Sequence, residues 1–228
     1  METPRPAPAP LPADTPVWSV SYGSNMSAAR FACYLEGGCP PGGSHTNPGA
    51  HDPRPPGRDV PVDLPGSVYF AGDSLQWGGG VAFYDHETPG PSAARAYLVT
   101  AQQFADIAAQ EMHRLPDPGD PLVEVVLGGL GGDGERHHVG PGRYETLVQV
   151  GTLDGFPMLT FTSPHGRDGV PHTAPAAAYA AMLASGLAAS RGWGSERAAD
   201  YVRARAAQRL AAHGSRVAAA VEACERGH

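Results

Sequence analysis

A chain of 228 residues is long enough to bury a substantial core, as one large domain or two small ones. Its 16 lysines and arginines face 23 aspartates and glutamates, and the net charge of −7 argues against a nucleic-acid binder, which carries a basic stripe. Three cysteines, Cys33, Cys39 and Cys224, are too few and too scattered for a disulfide framework, and no apolar run approaches the ~20 residues that span a bilayer.

Residues 1–15 are rich in proline and alanine and read as a disordered tail, without the apolar centre of a signal peptide. The rest, 16–228, reads as one domain, cytoplasmic, with its thiols reduced. Low lysine beside abundant alanine, glycine, proline and arginine fits a high-GC bacterial genome. The run VWSVSY (17–22) is the first strand, with Trp18, Val20 and Tyr22 on one face. SYGSNM (21–26) then joins it to a helix over 27–35. Gly23 permits a turn that Cβ-bearing residues resist, and Asn25 or Ser27 is placed to cap the helix. Free amides at such a terminus, with the helix dipole, favour a carboxylate or a developing oxyanion. Taken alone, the join is most simply a well-capped turn that binds nothing.

From Gly37 to Gly66 the chain runs GGCPPGGSHTNPGAHDPRPPGRDVPVDLPG, whose proline and glycine density argues against long regular elements. Two readings stay open for it, a lid or binding loop and a tolerated surface insertion. Strands are expected at SVYFA (67–71), GVAFY (80–84), RAYLV (95–99), LVEVVL (122–127), TLVQV (146–150) and PMLTFT (157–162), all rich in valine and aromatics. Between the first two of these lies Trp77-Gly78-Gly79-Gly80, where a ligand or another backbone could approach, or where a sheet corner could bulge.

The spacing predicts a helix over 101–114, with Thr100 and Gln103 as a capping box. Phe104, Ile107, Ala108 and Leu115 define its core-facing stripe, and Glu111 falls on that stripe. Asp106, Gln110 and Arg114 are assigned to its surface. A carboxylate on an apolar face loses hydration and is suited to taking and returning a proton; an ordinary ion pair or a helix-edge position explains it equally well. His137 and His138 are read as solvated loop histidines, residues 133–135 as an acidic loop surface, and Cys33 as core. Ser24 lacks the G-x-S-x-G context of a hydrolase nucleophile. Helices are expected at 175–189, at 196–212 with Ser195 as N-cap, and at 215–225. The fold class is therefore α+β, with a mixed sheet, flanking helices and a helical C-terminal third.

Together these motifs resemble the γ-glutamylcyclotransferase-like superfamily. SYGSNM resembles its strand-end Y-G-S-N loop, and WGGGVAF its Trp-x-Gly-Gly segment. QQFADIAAQEM places Glu111 where the family keeps a catalytic glutamate. GRYETLVQVGTLDGFPM resembles a later strand, with Tyr144, Gly155 and Pro157 matching. The similarity covers roughly residues 17–210. It departs from the family at Met112, where glycine often follows the glutamate, and in the 37–66 insertion, which exceeds that of compact members.

The resemblance implies a barrel-like mixed sheet and an intramolecular aminolysis that releases 5-oxoproline and a free amine from a γ-glutamyl amide. It implies Glu111 as the catalytic acid and base, and Tyr22, Gly23, Ser24, Asn25, Met26, Trp77, Gly78, Gly79 and Tyr144 as substrate-binding residues. No metal and no cofactor are implied. The expected partner is a small-molecule γ-glutamyl substrate, with no nucleic acid, no membrane, and a homodimer as the one assembly considered. Two other functions stay open: action on a γ-glutamylated natural-product intermediate or amine, and non-catalytic binding of a γ-glutamyl ligand.

Overall fold

The computed structural model describes residues 12–40, 45–74 and 77–207. Most of the tail expected over 1–15 lies outside them, as do the helix expected over 215–225, the end of the one expected over 196–212, and Cys224. Among the described residues six strands form one sheet: β1 (Pro16–Ser21), β2 (Arg58–Ala71), β3 (Val81–Thr100), β4 (Arg136–His138), β5 (Thr146–Leu153) and β6 (Phe156–Thr162). Their order across the sheet is β2-β3-β1-β6-β5-β4. β1 pairs antiparallel with β3 and parallel with β6, so the sheet is mixed, and the remaining pairs are antiparallel.

The sheet is open, which corrects the barrel-like closure expected for it. Closure would require β2 to meet β4, and a strand of three residues offers too few backbone groups to seal a barrel.

Alternation along the strands sends side chains to two cores, as a period of two requires. Val17, Tyr97, Val99, Leu159 and Phe161 point to one face, beneath α1 (Ala28–Glu36), α2 (Ala101–Glu111) and α3 (Pro121–Gly128). Trp18, Val20, Tyr22, Ala94, Ala96 and Met158 point to the other, beneath α4 (Ala177–Arg191) and α5 (195–207). Trp18 is fully buried, and its indole N–H donates to the Leu153 carbonyl at 2.9 Å. Among the described residues no helix is long and apolar enough to cross a membrane.

Several local expectations change. LVEVVL is not a strand but the body of α3: Asp120 accepts from the Leu122 amide at 2.9 Å and Pro121 opens the first turn. That start signal outweighs the β-branched composition. GVAFY and RAYLV are two ends of one long strand, β3, whose hairpin with β2 draws residues 58–66 of the insertion into the sheet. His137 and His138 sit on the short edge strand β4; a His138 ring nitrogen lies 2.9 Å from the Thr146 hydroxyl. Cys33 is only half-buried, on the outer side of α1. α5 begins at residue 195, with the Gly194 carbonyl accepting from Ala198, so Ser195 is inside the helix and does not cap it.

The α2 capping box forms as expected: the Thr100 hydroxyl accepts from the Gln103 main-chain amide at 3.1 Å, and the Gln103 side-chain oxygen Oε1 accepts from the Thr100 main-chain amide at 3.0 Å. The helix stops at Glu111, however, and His113 takes a left-handed φ of 57°. Leu115 therefore leaves the stripe and is 74% exposed. Asp106 and Gln110, assigned above to the surface, are buried. Asp106 accepts from the His51 amide at 2.8 Å, and Gln110 bonds the Tyr34 carbonyl at 2.9 Å and the Gly49 amide at 3.2 Å. Gln103 likewise donates to the carbonyls of Asp52 and Arg54. The polar face of α2 thus satisfies the irregular backbone of residues 49–54 and docks the insertion, as buried polar groups must be paired.

Candidate active site

β1 ends at Ser21, and the chain makes a single 3-10 turn, Ser24–Met26, before α1. The amides of Ser24 and Asn25 open this turn and have no carbonyl within it to bond, since the first internal bond runs from the Met26 amide to the Gly23 carbonyl at 3.0 Å. Gly23 has φ −116°, an ordinary value, so the backbone does not demand glycine there. A Cβ would instead stand 3.5 Å from the Tyr179 hydroxyl, in the space beside the turn. That corrects the conformational reason expected for this glycine.

Neither Asn25 nor Ser27 caps α1. Ser27 holds the cap position without a side-chain bond. Asn25 is buried and faces α2, where its side-chain amide donates to Glu111 Oε1 at 2.7 Å. Its carbonyl oxygen accepts from Arg30 Nε at 3.2 Å, and an Arg30 terminal nitrogen reaches the Tyr34 hydroxyl at 3.4 Å. An arginine, an amide and a carboxylate are so linked in a row, with the amide oriented by what it receives and what it gives.

Glu111 is half-buried at the last residue of α2 and borders two adjoining spaces. The inner one, of about 40 Å³, is walled by the Tyr22–Asn25 turn, Ala82, Phe161, Tyr144 and Tyr179. The outer one is a cleft of about 440 Å³ between Trp77, Tyr34, Arg143 and the insertion residues Pro40, His45 and Asn47. Four tyrosines surround the carboxylate. The Tyr22 hydroxyl donates to the Phe161 carbonyl at 2.8 Å and that of Tyr144 to the Ala82 carbonyl at 2.9 Å, while the Tyr179 hydroxyl accepts from the Ala82 amide at 3.3 Å. Burial, reinforced by the negative charge of Glu111, pushes Tyr22, Tyr34 and Tyr144 well above the usual phenol range, and Tyr179 up to about 12. All four therefore remain neutral hydroxyls at physiological pH.

Of the residues singled out in the sequence, Tyr22, Gly23, Ser24, Asn25, Glu111, Tyr144 and Trp77 meet around these spaces. Met26 does not. Its side chain is buried beneath α4, and its carbonyl accepts from Tyr97 and Arg95. Gly78 and Gly79 lie in the turn after Trp77, not on the walls. Their φ values of 69° and 64° and the 2.6 Å approach of a Gly79 Cβ to the Ala174 carbonyl explain glycine there. Met112 adopts φ −94°, so the position that often holds glycine in the resembling family needs none, and its sulfur accepts from the Tyr144 amide at 3.2 Å.

Arg30, Tyr34 and Tyr179 were missed. For Arg30 and Tyr34 a signal existed: their i,i+4 spacing puts both on one face of α1, next to the turn. Tyr179 had none beyond being the one aromatic in a helix of alanines. Among the described residues no group of three or more His, Cys, Asp or Glu side chains is arranged to hold a metal ion.

No protein-family model matches the chain. It is 30% identical over 198 residues to histone deacetylase 5 of Arabidopsis thaliana, a match covering 82% of this chain; the chain spans about 30% of that protein's length. Among solved structures it is similar to an uncharacterized protein from Homo sapiens, at 15% identity and a TM-score of 0.46, covering 82% of this chain and 86% of that one. It is similar to a γ-glutamyl cyclotransferase at 13% identity and 0.45, with the same coverage of 82% and 86%. It is also similar to YkqA from Bacillus subtilis, at 16% identity and 0.43, covering 82% of this chain and 54% of that one.

Proposed function

We propose that this chain is a γ-glutamylcyclotransferase-like enzyme that converts a γ-glutamyl amide into 5-oxoproline and a free amine. The observation that carries the proposal is the bond from Asn25, in the Y-G-S-N turn, to Glu111 Oε1 at 2.7 Å. It joins the two most distinctive motifs at one point, beside a small space of about 40 Å³.

In this reading the glutamyl head enters the inner space, with its α-carboxylate and scissile carbonyl against the amides of the turn. Asn25 holds Oε1, and Oε2 exchanges protons. Glu111 takes a proton from the α-ammonium group, and the freed amine attacks the γ-carbonyl carbon. A five-membered ring closes, and the carbonyl oxygen becomes an oxyanion. The γ-carbon–nitrogen bond then breaks as Glu111 returns a proton to the leaving nitrogen. Over the reaction the α-nitrogen gives up two protons and the leaving amine departs with both, as an ammonium ion. No water and no oxidant are consumed.

Physical chemistry supports the assignment. Amine and carbonyl already belong to one molecule, so the protein has only to fold the substrate back on itself and shuttle protons. Amides aimed at the oxyanion contribute about 3 kcal/mol each by analogy with measured oxyanion holes. Tyr34 and Tyr179, whose hydroxyls accept from Arg30 and from the Ala82 amide, can donate their own protons without competing for the one that Glu111 carries. The deacetylase named in the plant relative is not carried to this chain. The test is incubation of the purified protein with γ-glutamyl amides, reading 5-oxoproline by mass spectrometry; release of both products supports the proposal, and none from any amide refutes it.

A further inference from the structure

The outer cleft is a separate problem from the inner one. At about 440 Å³ it falls in the range of whole small-molecule sites, ~300–1,000 Å³, although the reaction proposed above happens at its inner end. Part of its wall comes from the insertion, through Pro40, His45 and Asn47, and α2 bonds that insertion a few residues on, at Gly49 and His51. Trp77 and Val81 give it an apolar side.

Its charge is the informative feature. The whole chain is net −7, yet the cleft walls carry two arginines, Arg30 and Arg143, against one carboxylate, Glu111. Arg30 is engaged with Asn25 and Tyr34. Arg143 is exposed and precedes Tyr144 in the chain; among the described residues it donates only to the Asp73 main-chain carbonyl, at 3.3 Å, and no carboxylate pairs with it. In the same cleft wall the rings of His45 and His113 meet edge to face at 5.4 Å. A cationic rim on an acidic protein concentrates anions at that place.

We infer that the outer cleft is a leaving-group subsite in which Arg143 receives an anionic group carried by the departing amine, so that amides of bulky anionic amines are preferred to those of neutral amines. The inference rests on the proposed function, because it takes Glu111 as the end of the cleft where the amide lies. The anion fits as a carboxylate or as a phosphate, since a guanidinium accepts either in a two-pronged bond.

The experiment uses γ-glutamyl dipeptides in matched forms: a free C-terminal carboxylate, the C-terminal carboxamide, and a third with a phosphate ester on the amine. kcat/KM is measured for wild type and Arg143→Met, and Kd is measured in parallel with Glu111→Gln, alone and combined with Arg143→Met, so that binding is read without turnover. Wild type is expected to favour an anionic form over the carboxamide by roughly tenfold or more, the worth of a charge-assisted hydrogen bond. Arg143→Met should bring that ratio close to one, with the larger loss of kcat/KM falling on the anionic forms. The preference should also shrink in high salt, because the arginine is exposed. Whether carboxylate or phosphate gains more distinguishes the two anions. Equal values for the anionic and neutral forms in wild type, or a preference that survives Arg143→Met, overturns the inference. Absence of 5-oxoproline from all three refutes the proposed function instead, and the Kd ratio still decides the subsite.

Discussion

Asn25 and Glu111 stand 86 positions apart in the chain, yet the side-chain amide of one donates to the carboxylate of the other at 2.7 Å. Asn25 is in turn fixed by Arg30, at 3.2 Å from its carbonyl oxygen. The carboxylate thus has one oxygen held in a set direction, which is what a group that must take a proton from one nitrogen and give it to another requires. The relationship also gives Asn25 a task that helix capping does not.

Asn25→Asp would replace a donor by a second carboxylate against Glu111. Loss of a hydrogen bond to a charged group is expected to cost about 1.5–3 kcal/mol, and repulsion adds to it. Turnover of a γ-glutamyl amide should fall by roughly tenfold to a hundredfold or more. The check is steady-state kinetics beside a circular dichroism spectrum; activity equal to wild type would remove Asn25 from the site.

Gly23→Ala separates folding from function. The backbone there is unstrained and the nearest atoms to a new Cβ are 3.5 and 3.7 Å away, ordinary contact distances. The variant is expected to melt within a few degrees of wild type. Its methyl group would occupy an inner space of only about 40 Å³, so substrate affinity should drop steeply. A differential melting curve with KM for the same substrate reads both.

Gly186→Ala should do the reverse. α4 crosses the Y-G-S-N turn at Gly186, where a Cβ would lie 2.9 Å from Met26 Cβ and 3.1 Å from the Ser27 amide nitrogen. Helix and turn must separate to admit it, a typical overpacking cost of about 1–3 kcal/mol. A lower denaturation midpoint in urea is the expected outcome, with activity falling because the turn moves.

Arg114, three residues beyond Glu111, pairs with Glu145 and, at 2.9 Å, with Asp120. Burial raises the Glu145 carboxyl; the hydrogen bond and charge of Arg114 and the Gly142 amide outweigh it and hold the group below the usual carboxylate range. A folded-state pKa below the unfolded one stabilises the protein above the unfolded value, about pH 4, and that stability disappears as pH falls through the folded value. Arg114→Met removes the cation and leaves two buried carboxylates. It should destabilise by about 3 kcal/mol at pH 7, the low end for a broken buried pair because Arg114 is 38% exposed. The gap to wild type should narrow below about pH 4, as Glu145 protonates. Denaturant titrations at pH 7 and pH 3.5 check it; a gap that widens in acid would contradict the assignment.

Much of the fold was legible where sequence periodicity and burial agree, as in β1, where Trp18, Val20 and Tyr22 share a face, and in α2 with its capping box. α3 was not, because three valines in eight residues outweighed the local start signal of Asp120 and Pro121. The polar face of α2 misled for another reason: Asp106 and Gln110 are buried by a loop, and only the tertiary arrangement supplies the backbone groups they satisfy. At the site, the turn and the glutamate could be read as separate ambiguities. Their bond, and the presence of Arg30, Tyr34 and Tyr179 around it, depends on how α1, α2 and α4 pack on the sheet, which no local pattern encodes.

The most direct test compares wild type with Glu111→Gln, which keeps an oxygen for Asn25 but carries no exchangeable carboxylate. Both proteins are incubated with γ-glutamyl amides, and 5-oxoproline is measured by mass spectrometry. The account predicts release by wild type and a loss of about 10²–10⁴-fold in the variant, with the melting temperature nearly unchanged. Undiminished release by Glu111→Gln would contradict it.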